Sequence, residues 1–557
     1  MSVKNYSAQW FGGQINRDSV EPKGKIMDRL LLRALRVFKT VGVFLPTLCV
    51  VLIPVFTVTE VQGAETIGKS AARVETVQGS LEGVWVDGSE VYRGIPYAKP
   101  PVEDFRWQPP QPVAAWSGVR PAKTFGPACP QPVRFNYMIP GNQAPSEDCL
   151  TINVSAPAAA KDQPVWVMIH GGGFASGSGE YLLGLGPLLN AEGIVFVTFN
   201  YRLSTLGFFA HPELPGEQGV NYGLMDMWAA LEWVRENIAA FGGDPERVTI
   251  SGISAGGMAV NMLMVTPESA NLIAGGISQS GYGTWFRQPR TRKVTPLDDA
   301  PSAEAMASEL AGEVTGKPPE EVTKADLYAV PAERWAESVS GFHVPIVDGL
   351  SLPEESAILF ARGMQHPVPF MSGGTSFDGS VLGISGVDAE TLVEITNGQE
   401  DRLKALWAED FRVNEAQGFS RFFGDARYVY AALNLTQAMQ TVKRPGYLYY
   451  FDYVLPEKRS QVPGAEHGSA GEIMWTQMDL PVAQAMRGYW IDFVKTGNPN
   501  GGGRAVWPPA AGFDEPQWIV FGEEVDQRGG LMSEKMEFID GLWQKRTESL
   551  RFSSNNP

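Results

Sequence analysis

Cysteine and histidine are scarce in this chain of 557 residues, which contains three cysteines and five histidines. The first shortage leaves few ways to form a disulfide, and the second leaves few candidates for a catalytic base. Repeats of fixed period and long low-complexity tracts are also missing, so neither feature organises the chain. The composition is otherwise that of a globular protein with ample material for a core, at 44% hydrophobic and 19% charged residues.

Basic side chains are outnumbered, with 45 lysines and arginines against 62 aspartates and glutamates and a formal net charge of −17. Without residues 1–64 the chain keeps 37 basic and 58 acidic side chains, a formal charge of −21. A surface with this excess of negative charge repels nucleic acid and anionic membranes. We therefore expect no nucleic-acid partner.

Residues 1–64 have the pattern of an export signal. A basic segment precedes an apolar run from Val41 to Val58, and small and polar residues follow at 61–64. This order is typical of a secretory signal. The alternative is an uncleaved membrane anchor, because the run is near spanning length, although Pro46 and Pro54 disfavour a stable spanning helix. We predict an exported protein, periplasmic or secreted, with Met27 as a second candidate for the initiating methionine.

One cysteine, Cys49, lies within this signal, so only Cys129 and Cys149 remain in the exported chain. The stretch around them is rich in proline. In an exported chain, two cysteines that close such a loop are typical of one disulfide. The alternative is a pair of unlinked buried thiols.

The remaining chain alternates strands and helices and has no linker between independent domains. Short apolar pieces near Val84, Val91 and 152–154 predict an N-terminal meander. Further buried strands are predicted at 165–169, 194–199, 248–250, 368–371 and 446–451. An amphipathic helix is predicted at 224–241. This alternation predicts an α/β fold with a mostly parallel central sheet and helices on both faces. We predict one domain, residues 65–557.

The sequence Gly252-Ile253-Ser254-Ala255-Gly256 lies between a predicted strand and a predicted helix. A serine on such a sharp turn exposes its hydroxyl above the sheet, and the flanking glycines relieve crowding. The helix that follows directs its positive end toward the serine. Alone, Gly-x-Ser-x-Gly is a weak pattern, and a plain glycine-rich turn is the alternative. In this context it predicts Ser254 as the nucleophile of an α/β-hydrolase fold.

The α/β-hydrolase order of serine, acid and histidine requires the base to come last. His467 is the last histidine and lies in a loop of small residues, 464–469. The other four precede the serine or lie in apolar segments with prolines: His170, His211, His343 and His366. We predict His467 as the base; an ordinary surface-loop histidine is the alternative.

The acid must lie between Ser254 and His467 and follow a strand. Asp378 is the first carboxylate after the predicted strand 368–371, and neighbouring glycines permit a tight loop. It would fix the imidazole tautomer and stabilise the imidazolium. Asp452 is the alternative acid, and capping of a loop is the alternative role for Asp378.

An oxyanion needs backbone N–H donors that are held in place before the reaction. The amide of Ala255, after the nucleophile, is one candidate. Gly172 and Gly173, in the glycine run after the predicted strand 165–169, are the others, because glycine lets the backbone approach the substrate closely. A plain glycine turn is the alternative.

Further segments resemble the type-B carboxylesterase/cholinesterase family, which includes bacterial carboxylesterases, from about residue 75 to about residue 510. These segments are Arg93-Gly94-Ile95-Pro96-Tyr97-Ala98, Ser146-Glu147-Asp148-Cys149-Leu150, His170-Gly171-Gly172-Gly173-Phe174, Asn200-Tyr201-Arg202-Leu203, Trp233-Val234-Arg235-Glu236-Asn237-Ile238 through Phe241-Gly242-Gly243-Asp244-Pro245, and Thr496-Gly497-Asn498-Pro499-Asn500.

The resemblance implies a serine hydrolase of carboxylic esters that works through an acyl-enzyme without metal or cofactor. It implies a disulfide between Cys129 and Cys149 and a buried ion pair of Arg106 with Glu147. It also implies that the oxyanion hole is formed by the amides of Gly172, Gly173 and Ala255.

Two positions depart from the family pattern. Ile253 stands where the family usually has a glutamate before the nucleophile, and Asp378 stands where it usually has the glutamate of the triad. Loss of a carboxylate beside the serine lowers the attraction for a cationic substrate. The segment 129–149 contains Phe135 and Tyr137 but no tryptophan of the kind that holds the cation in choline-hydrolysing relatives. Choline esters are therefore poor candidates.

We predict a carboxylesterase for short to medium or aryl neutral esters. The alternatives are a lipase for long acyl chains, a hydrolase of one specialised environmental ester or amide, and a non-catalytic binding protein. The last is disfavoured because the chain keeps Ser254, Asp378 and His467. The expected partners are a small ester and water, without metal, and membrane contact is expected only through a retained N-terminal segment.

Overall fold

A sheet of thirteen strands runs through the part of the chain that the computed structural model describes, which is residues 71–134, 144–285, 288–294, 300–512 and 515–552. The predicted export signal, Met27, Phe135 and Tyr137 lie outside these residues. The strands are β1 Ala72–Thr76, β2 Gly79–Val86, β3 Ser89–Pro96, β4 Val119–Pro121, β5 Thr151–Pro157, β6 Gln163–Ile169, β7 Val195–Phe199, β8 Gly243–Ile253, β9 Gly275–Gln279, β10 Phe370–Thr375, β11 Gly446–Phe451, β12 Gln517–Phe521 and β13 Val525–Gly529.

The strands lie in the order β1-β2-β3-β5-β7-β6-β8-β9-β10-β11-β12-β13, and β4 pairs with β2. Strands β1, β2, β3, β5 and β7 pair antiparallel in turn. From β7 to β12 every neighbouring pair is parallel, and β13 closes the sheet antiparallel to β12. This confirms the predicted mostly parallel central sheet with an N-terminal antiparallel meander.

Helices follow most of the parallel strands. They are α1 Glu180–Leu183, α2 Gly186–Ala191, α3 Ser204–Gly207, α4 Tyr222–Asn237, α5 Ala255–Leu263, α6 Ala303–Thr315, α7 Lys324–Ala329, α8 Ala332–Glu337, α9 Ser356–Ala361, α10 Leu382–Ser385, α11 Ala389–Ile395, α12 Glu400–Leu406, α13 Ala408–Val413, α14 Glu415–Gly424, α15 Tyr430–Ala438, α16 Ser469–Thr476, α17 Pro481–Thr496 and α18 Ser533–Phe552. Within the described residues, none of them is long and apolar enough to cross a membrane.

After its first residue, Gln163, strand β6 is apolar throughout, and its packing shows why. Its side chains alternate between the two faces of the sheet, and both faces are covered. Val165 and Val167 lie in the same buried cluster as residues of α4 and α5. Trp166 and Met168 lie in a second cluster with residues of α17. A strand that is buried on both faces has no position for a polar side chain, so its apolar run is continuous.

Two strands differ from what the sequence pattern predicts. β10 begins at Phe370 rather than Val368 and extends through Gly373 and Gly374, which the sequence pattern places in a loop. Gly373 is needed in the strand because a Cβ there would lie 2.4 Å from the ring of Tyr449. Strand β9 is absent from the prediction, because small residues replace the usual apolar run where α5 packs closely.

The parallel strands bring their carboxyl ends to one edge of the sheet. Ser254 follows β8 directly, Asp378 comes three residues after the end of β10, and His467 lies on the segment between β11 and α16. Ligand sites in parallel α/β sheets lie at this edge. The topology therefore places the three predicted catalytic residues at one edge of the sheet.

Candidate active site

The Ser254 turn has the strained geometry expected of an exposed nucleophile. Ser254 has φ 61° and ψ −121°, an unusual conformation for a residue other than glycine. Its amide donates a hydrogen bond to the carbonyl of Gln279 at the end of β9, at 2.8 Å. The next residue, Ala255, begins α5, so the positive end of this helix lies at the serine.

Glycines make this turn sterically possible. A Cβ on Gly252 would lie 2.2 Å from the carbonyl carbon of Gly256, and a Cβ on Gly256 would lie 2.2 Å from the carbonyl oxygen of Ile169. Any side chain at either position would force the strand and helix apart, because real Cβ atoms never approach backbone this closely. The Gly-x-Ser-x-Gly pattern is thus a packing requirement of the strand–turn–helix unit.

His467 and Asp378 are hydrogen bonded, with 2.7 Å between Nδ1 of the histidine and Oδ1 of the aspartate. The histidine amide also donates to Oγ of Ser380 at 3.0 Å. Its other ring nitrogen, Nε2, is buried and makes no hydrogen bond to any described residue. The hydrogen bond between a catalytic serine and its base is often long without substrate and shortens in the complex.

Asp378 is buried, with 1% of its surface exposed, and both of its oxygens accept hydrogen bonds. Besides the histidine, Oδ2 accepts from Oγ of Ser280 at 3.0 Å and from the amide of Thr375 at 2.7 Å. Three donors on one buried carboxylate fix its orientation. The alternative acid, Asp452, follows β11 and is exposed.

The loops that carry the acid and the base are joined to each other. The amide of Phe377 donates to the carbonyl of Ala465, and the amide of Ala465 donates to Oγ of Ser376, both at 2.8 Å. The helix after the base also packs on the nucleophile turn, since a Cβ on Gly471 would lie 2.7 Å from Cδ1 of Ile253. Ile253 therefore makes an apolar contact that a glutamate at this position would lose.

The glycine run after β6 passes beside the nucleophile. A Cβ on Gly171 would lie 3.4 Å from Cβ of Ser254. Gly172 has φ 106°, and its carbonyl accepts bonds from the amides of Ala175 and Ser176 at 3.1 and 3.0 Å. Within the described part of the chain, the amides of Gly172, Gly173 and Ala255 donate to no other residue. These three N–H groups are available to an oxyanion.

His170 is buried and His343 is half-buried, and both serve local structure. Nδ1 of His170 donates to the carbonyl of Gly171 at 2.9 Å, and the ring stacks on Tyr201. Nε2 of His343 donates to the carbonyl of Phe208 at 2.8 Å. Burial lowers the pKa of each imidazole to about 4, against the weaker opposite effect of its backbone hydrogen bond. Both are therefore neutral at pH 7.

His211 and His366 also have partners away from the triad. Nδ1 of His211 accepts a hydrogen bond from the amide of Glu213 at 3.2 Å. Nε2 of His366 lies 3.1 Å from the carbonyl of Thr266. Burial lowers the pKa of both imidazoles. Of the five histidines, only His467 makes a hydrogen bond to a described carboxylate.

The disulfide and the ion pair implied by the resemblance are both present. Cys129 and Cys149 form a disulfide. Arg106 and Glu147 form a bidentate ion pair, Nε to Oε1 and Nη2 to Oε2, with both distances 2.6 Å. A further arginine pair, Arg202 with Asp226, was not predicted and is fully buried.

Sequence reasoning missed the residues that hold the triad in place. Ser280 donates to the acid, Ser380 accepts from the amide of His467, and Ser376 accepts from the amide of Ala465. The Tyr428 ring lies 4.8 Å from the His467 ring. Ser280 directly follows β9, but the small residues of that strand carry no pattern from which its position could have been predicted. Tyr428 gives no signal either, since it lies in a helical segment far from any motif.

The described residues contain no group of three or more His, Cys, Asp or Glu side chains placed to hold a metal ion. The chemistry that these residues themselves can supply is nucleophilic: a hydroxyl on a strained turn, an imidazole fixed by a carboxylate, and free backbone donors.

Comparisons with known proteins agree with this chemistry. The sequence model of the Carboxylesterase family matches residues 70–539. The chain is 32% identical to a fumonisin B1 esterase of Sphingopyxis macrogoltabida over 82% of its length and 87% of that protein. It is 32% identical to a para-nitrobenzyl esterase of Bacillus subtilis (strain 168) over 83% and 97%. A solved structure of a PNB esterase superposes with a TM-score of 0.70 at 29% identity, covering 84% of this chain and 100% of that one.

Proposed function

This chain belongs to the carboxylesterase family and is a carboxylic ester hydrolase, and we propose that it acts through a triad of Ser254, Asp378 and His467. We propose that it accepts esters with short to medium acyl chains or aryl groups. The observation that carries the proposal is the pairing of His467 with a buried Asp378, while the other ring nitrogen has no hydrogen-bond partner among the described residues.

The proposed reaction has two halves. Nε2 of His467 takes the proton of the Ser254 hydroxyl as Oγ attacks the ester carbonyl carbon. The amides of Gly172, Gly173 and Ala255 bind the oxygen that becomes negative. The tetrahedral intermediate collapses, the C–O bond to the leaving group breaks, and protonated His467 gives its proton to the departing alkoxide oxygen, which leaves as the alcohol. Water then attacks the acyl-enzyme with the same proton transfers and releases the acid.

The charges around the nucleophile support a substrate without a cationic group. Ile253 places an apolar side chain next to Ser254, where it packs on α16. An ester with an ammonium group would find no carboxylate at this position. The similar proteins also include a para-nitrobenzyl esterase, which favours esters that carry an aromatic group as test substrates.

Hydrolysis of p-nitrophenyl esters from acetate to palmitate tests the proposal. We expect the wild type to hydrolyse the short esters and the Ser254→Ala variant to lose at least about 10³-fold in kcat, because the acyl-enzyme cannot form. Ser338→Ala is the matched control, since this serine bonds only the carbonyl of Trp335 and is expected to leave the rate unchanged.

The alternatives give different results. Activity that rises with chain length and appears only above the solubility limit would indicate a lipase. Full activity in Ser254→Ala would refute the proposed nucleophile. Folded wild-type protein that hydrolyses no ester in the series would refute a broad esterase and favour a specialist or a binding role.

We also propose that the protein is exported. The disulfide between Cys129 and Cys149 supports this, because such bonds persist in oxidising compartments. Fractionation of cells followed by N-terminal sequencing of the purified protein tests the proposal. Recovery of the intact chain from the cytosol would refute it.

A further inference from the structure

Arg427 is a buried arginine in the segment that precedes α15. It lies in a π-helical turn, Asp425–Val429, between α14 and α15, and only 2% of its surface is exposed. π-Helical turns inside helices are frequent at functional sites. A guanidinium stays charged when buried, so the surroundings of this side chain must compensate its charge.

Other buried arginines show how this protein normally compensates such a charge. Arg106 pairs with Glu147, Arg202 pairs with Asp226, and Arg290 pairs with Glu354 and Glu355. Removal of two charges from water is costly, and a paired carboxylate with good geometry offsets that cost.

Arg427 has no such partner. No carboxylate of the described residues lies within 4 Å of its guanidinium, and its Nε makes no hydrogen bond. The nearest carboxylate in sequence, Asp425, accepts a hydrogen bond from Nε1 of Trp407 at 2.8 Å. Burial raises the pKa of that carboxyl, and the opposing effects come from Lys535, Trp407 and Arg421 rather than from Arg427. The positive charge of Arg427 is thus unmatched by any described side chain.

Aromatic rings surround the guanidinium instead. Its carbon lies 4.0 Å from the ring centre of Tyr282, 4.6 Å from that of Trp285 and 5.6 Å from that of Phe423. Such contacts attract a cation and keep water away. A guanidinium has five N–H donors in its plane, and no carboxylate of the described residues lies within 4 Å to accept from them.

Two tyrosine hydroxyls near Arg427 lack a hydrogen-bond acceptor. The hydroxyls of Tyr282 and Tyr428 are buried and donate no hydrogen bond to any described residue. Burial raises the pKa of both phenols, and the positive charge of Arg427 and its N–H groups, which lie near both hydroxyls as donors, act in the opposite direction. One guanidinium and two phenols therefore form a buried set of hydrogen-bond donors.

This set lies beside the catalytic residues. The ring of Tyr428 is 4.8 Å from that of His467 and 5.8 Å from that of Tyr282. The carbonyl of Tyr282 accepts a hydrogen bond from Nδ2 of Asn261, on the helix that begins at the nucleophile. The donor set is thus connected to both the base and the nucleophile helix.

We propose that Arg427, together with the hydroxyls of Tyr282 and Tyr428, binds a carboxylate carried by the substrate. A carboxylate accepts two parallel hydrogen bonds from one guanidinium and has lone pairs left for the phenols. The preferred substrates are then half-esters of short dicarboxylic acids or esters of short hydroxy acids. This inference rests on the proposed esterase function and makes charged esters better substrates than neutral esters of equal length.

Two matched ester panels test the inference. The first compares monoethyl malonate, succinate and glutarate with ethyl propanoate, butanoate and pentanoate. The second compares acetoxyacetate, 3-acetoxypropanoate and 4-acetoxybutanoate with ethyl, propyl and butyl acetate. Within each pair a carboxylate replaces a methyl group, so size is nearly constant. Acid release in a pH-stat gives kcat and KM for both members.

We expect at least one charged ester to exceed its neutral partner by about tenfold or more in kcat/KM. Arg427→Met should lower kcat/KM for that charged ester by about 10²-fold and for the neutral ester by less than about threefold. Arg427→Lys should restore part of the preference. The matched control is Arg402→Met, which removes an exposed arginine that stacks on Phe538 and should change neither value.

Each other outcome overturns the inference. A wild type without preference for any charged ester refutes it, as does an Arg427→Met variant that loses both activities by the same factor, which indicates a structural role. If Arg427→Met does not fold, competitive inhibition of the wild type by succinate and glutarate relative to butanoate and pentanoate decides the point. A folded wild type that hydrolyses no ester of either panel would instead refute the proposed esterase function.

Discussion

In the proposed triad, Asp378 determines which ring nitrogen of His467 carries the proton. Its carboxylate accepts from Nδ1 of the imidazole. In the proposed reaction this leaves Nε2 to accept the serine proton. In Asp378→Asn an amide nitrogen can face the ring and favour the opposite tautomer. We expect kcat to fall by about 10³–10⁴-fold with little change in KM, measured with p-nitrophenyl acetate at pH 8.

Asp452→Asn is the matched control for this prediction, because Asp452 follows β11 and is exposed. It should retain wild-type activity, and both variants should keep the wild-type melting temperature within a few degrees. Loss of activity in Asp452→Asn, with full activity in Asp378→Asn, would show that Asp452 rather than Asp378 is the acid of the triad.

The three proposed catalytic residues could be predicted from the sequence, because each is identified either by a local motif or by its order along the chain. Ser254 lies in a recognisable turn, and His467 and Asp378 are the candidates that satisfy the order along the chain. Ser280 and Arg427 obey no such rule. Each reaches the site because distant elements pack together, and the sequence alone does not show which elements are neighbours.

The strand–turn–helix unit of β8 and α5 depends on the small size of Gly252. A Cβ there would overlap the backbone of Gly256, and neither element can move without losing its packing. We expect Gly252→Ala to lower kcat/KM for p-nitrophenyl acetate by at least about 10²-fold, because a displacement of the nucleophile of about 1 Å has that cost. We also expect a lower free energy of unfolding in urea.

Gly541→Ala is the control for the same substitution. Gly541 lies within α18, and no atom lies within 4 Å of the Cβ that alanine would add. Since alanine favours a helix interior by roughly 0.5–1 kcal/mol over glycine, stability should rise slightly and activity should not change. Wild-type activity in Gly252→Ala would show that the turn tolerates displacement.

Apolar strands were predictable from the sequence, and strands of small residues were not. Strands β6 and β11 are buried on both faces, so nearly all of their residues are apolar or aromatic and form a continuous run in the sequence. In β9, a Cβ on Gly276 would lie 3.3 Å from side-chain atoms of Val260 and of Phe370. Neighbouring elements supply the apolar contacts at such positions, so the strand itself carries no pattern.

At the scale of the whole molecule, the fold class could be predicted from the sequence pattern, but the order of the strands in the sheet could not. Alternating strands and helices predict a parallel sheet, but the position of β7 between β5 and β6 depends on crossover connections. The division into an export segment, 1–64, and one hydrolase domain, 65–557, stays a prediction.

The stability of the whole molecule should depend on pH through two histidines, the buried His170 and the half-buried His343. His170 and His343 have a pKa of about 4 in the folded chain, against an ordinary value near 6.5. Between these values the unfolded chain binds protons that the folded chain does not, so folding is progressively disfavoured as the pH falls from about 6.5 to about 4. At about 1.4 kcal/mol per pKa unit, each histidine can remove about 3 kcal/mol.

His343→Gln tests this coupling, because glutamine can still donate to the carbonyl of Phe208 but cannot take up a proton. We expect the free energy of unfolding in urea to fall less between pH 7.5 and pH 4.5 in His343→Gln than in the wild type. The test compares how much the free energy of unfolding changes between the two pH values in each protein. A loss of stability in the variant that is the same at both pH values therefore does not affect it. Carboxylates that are stabilised in the folded chain lower stability in acid equally in both proteins and therefore cancel. An equal fall in the two proteins would mean that His343 is not held neutral by burial.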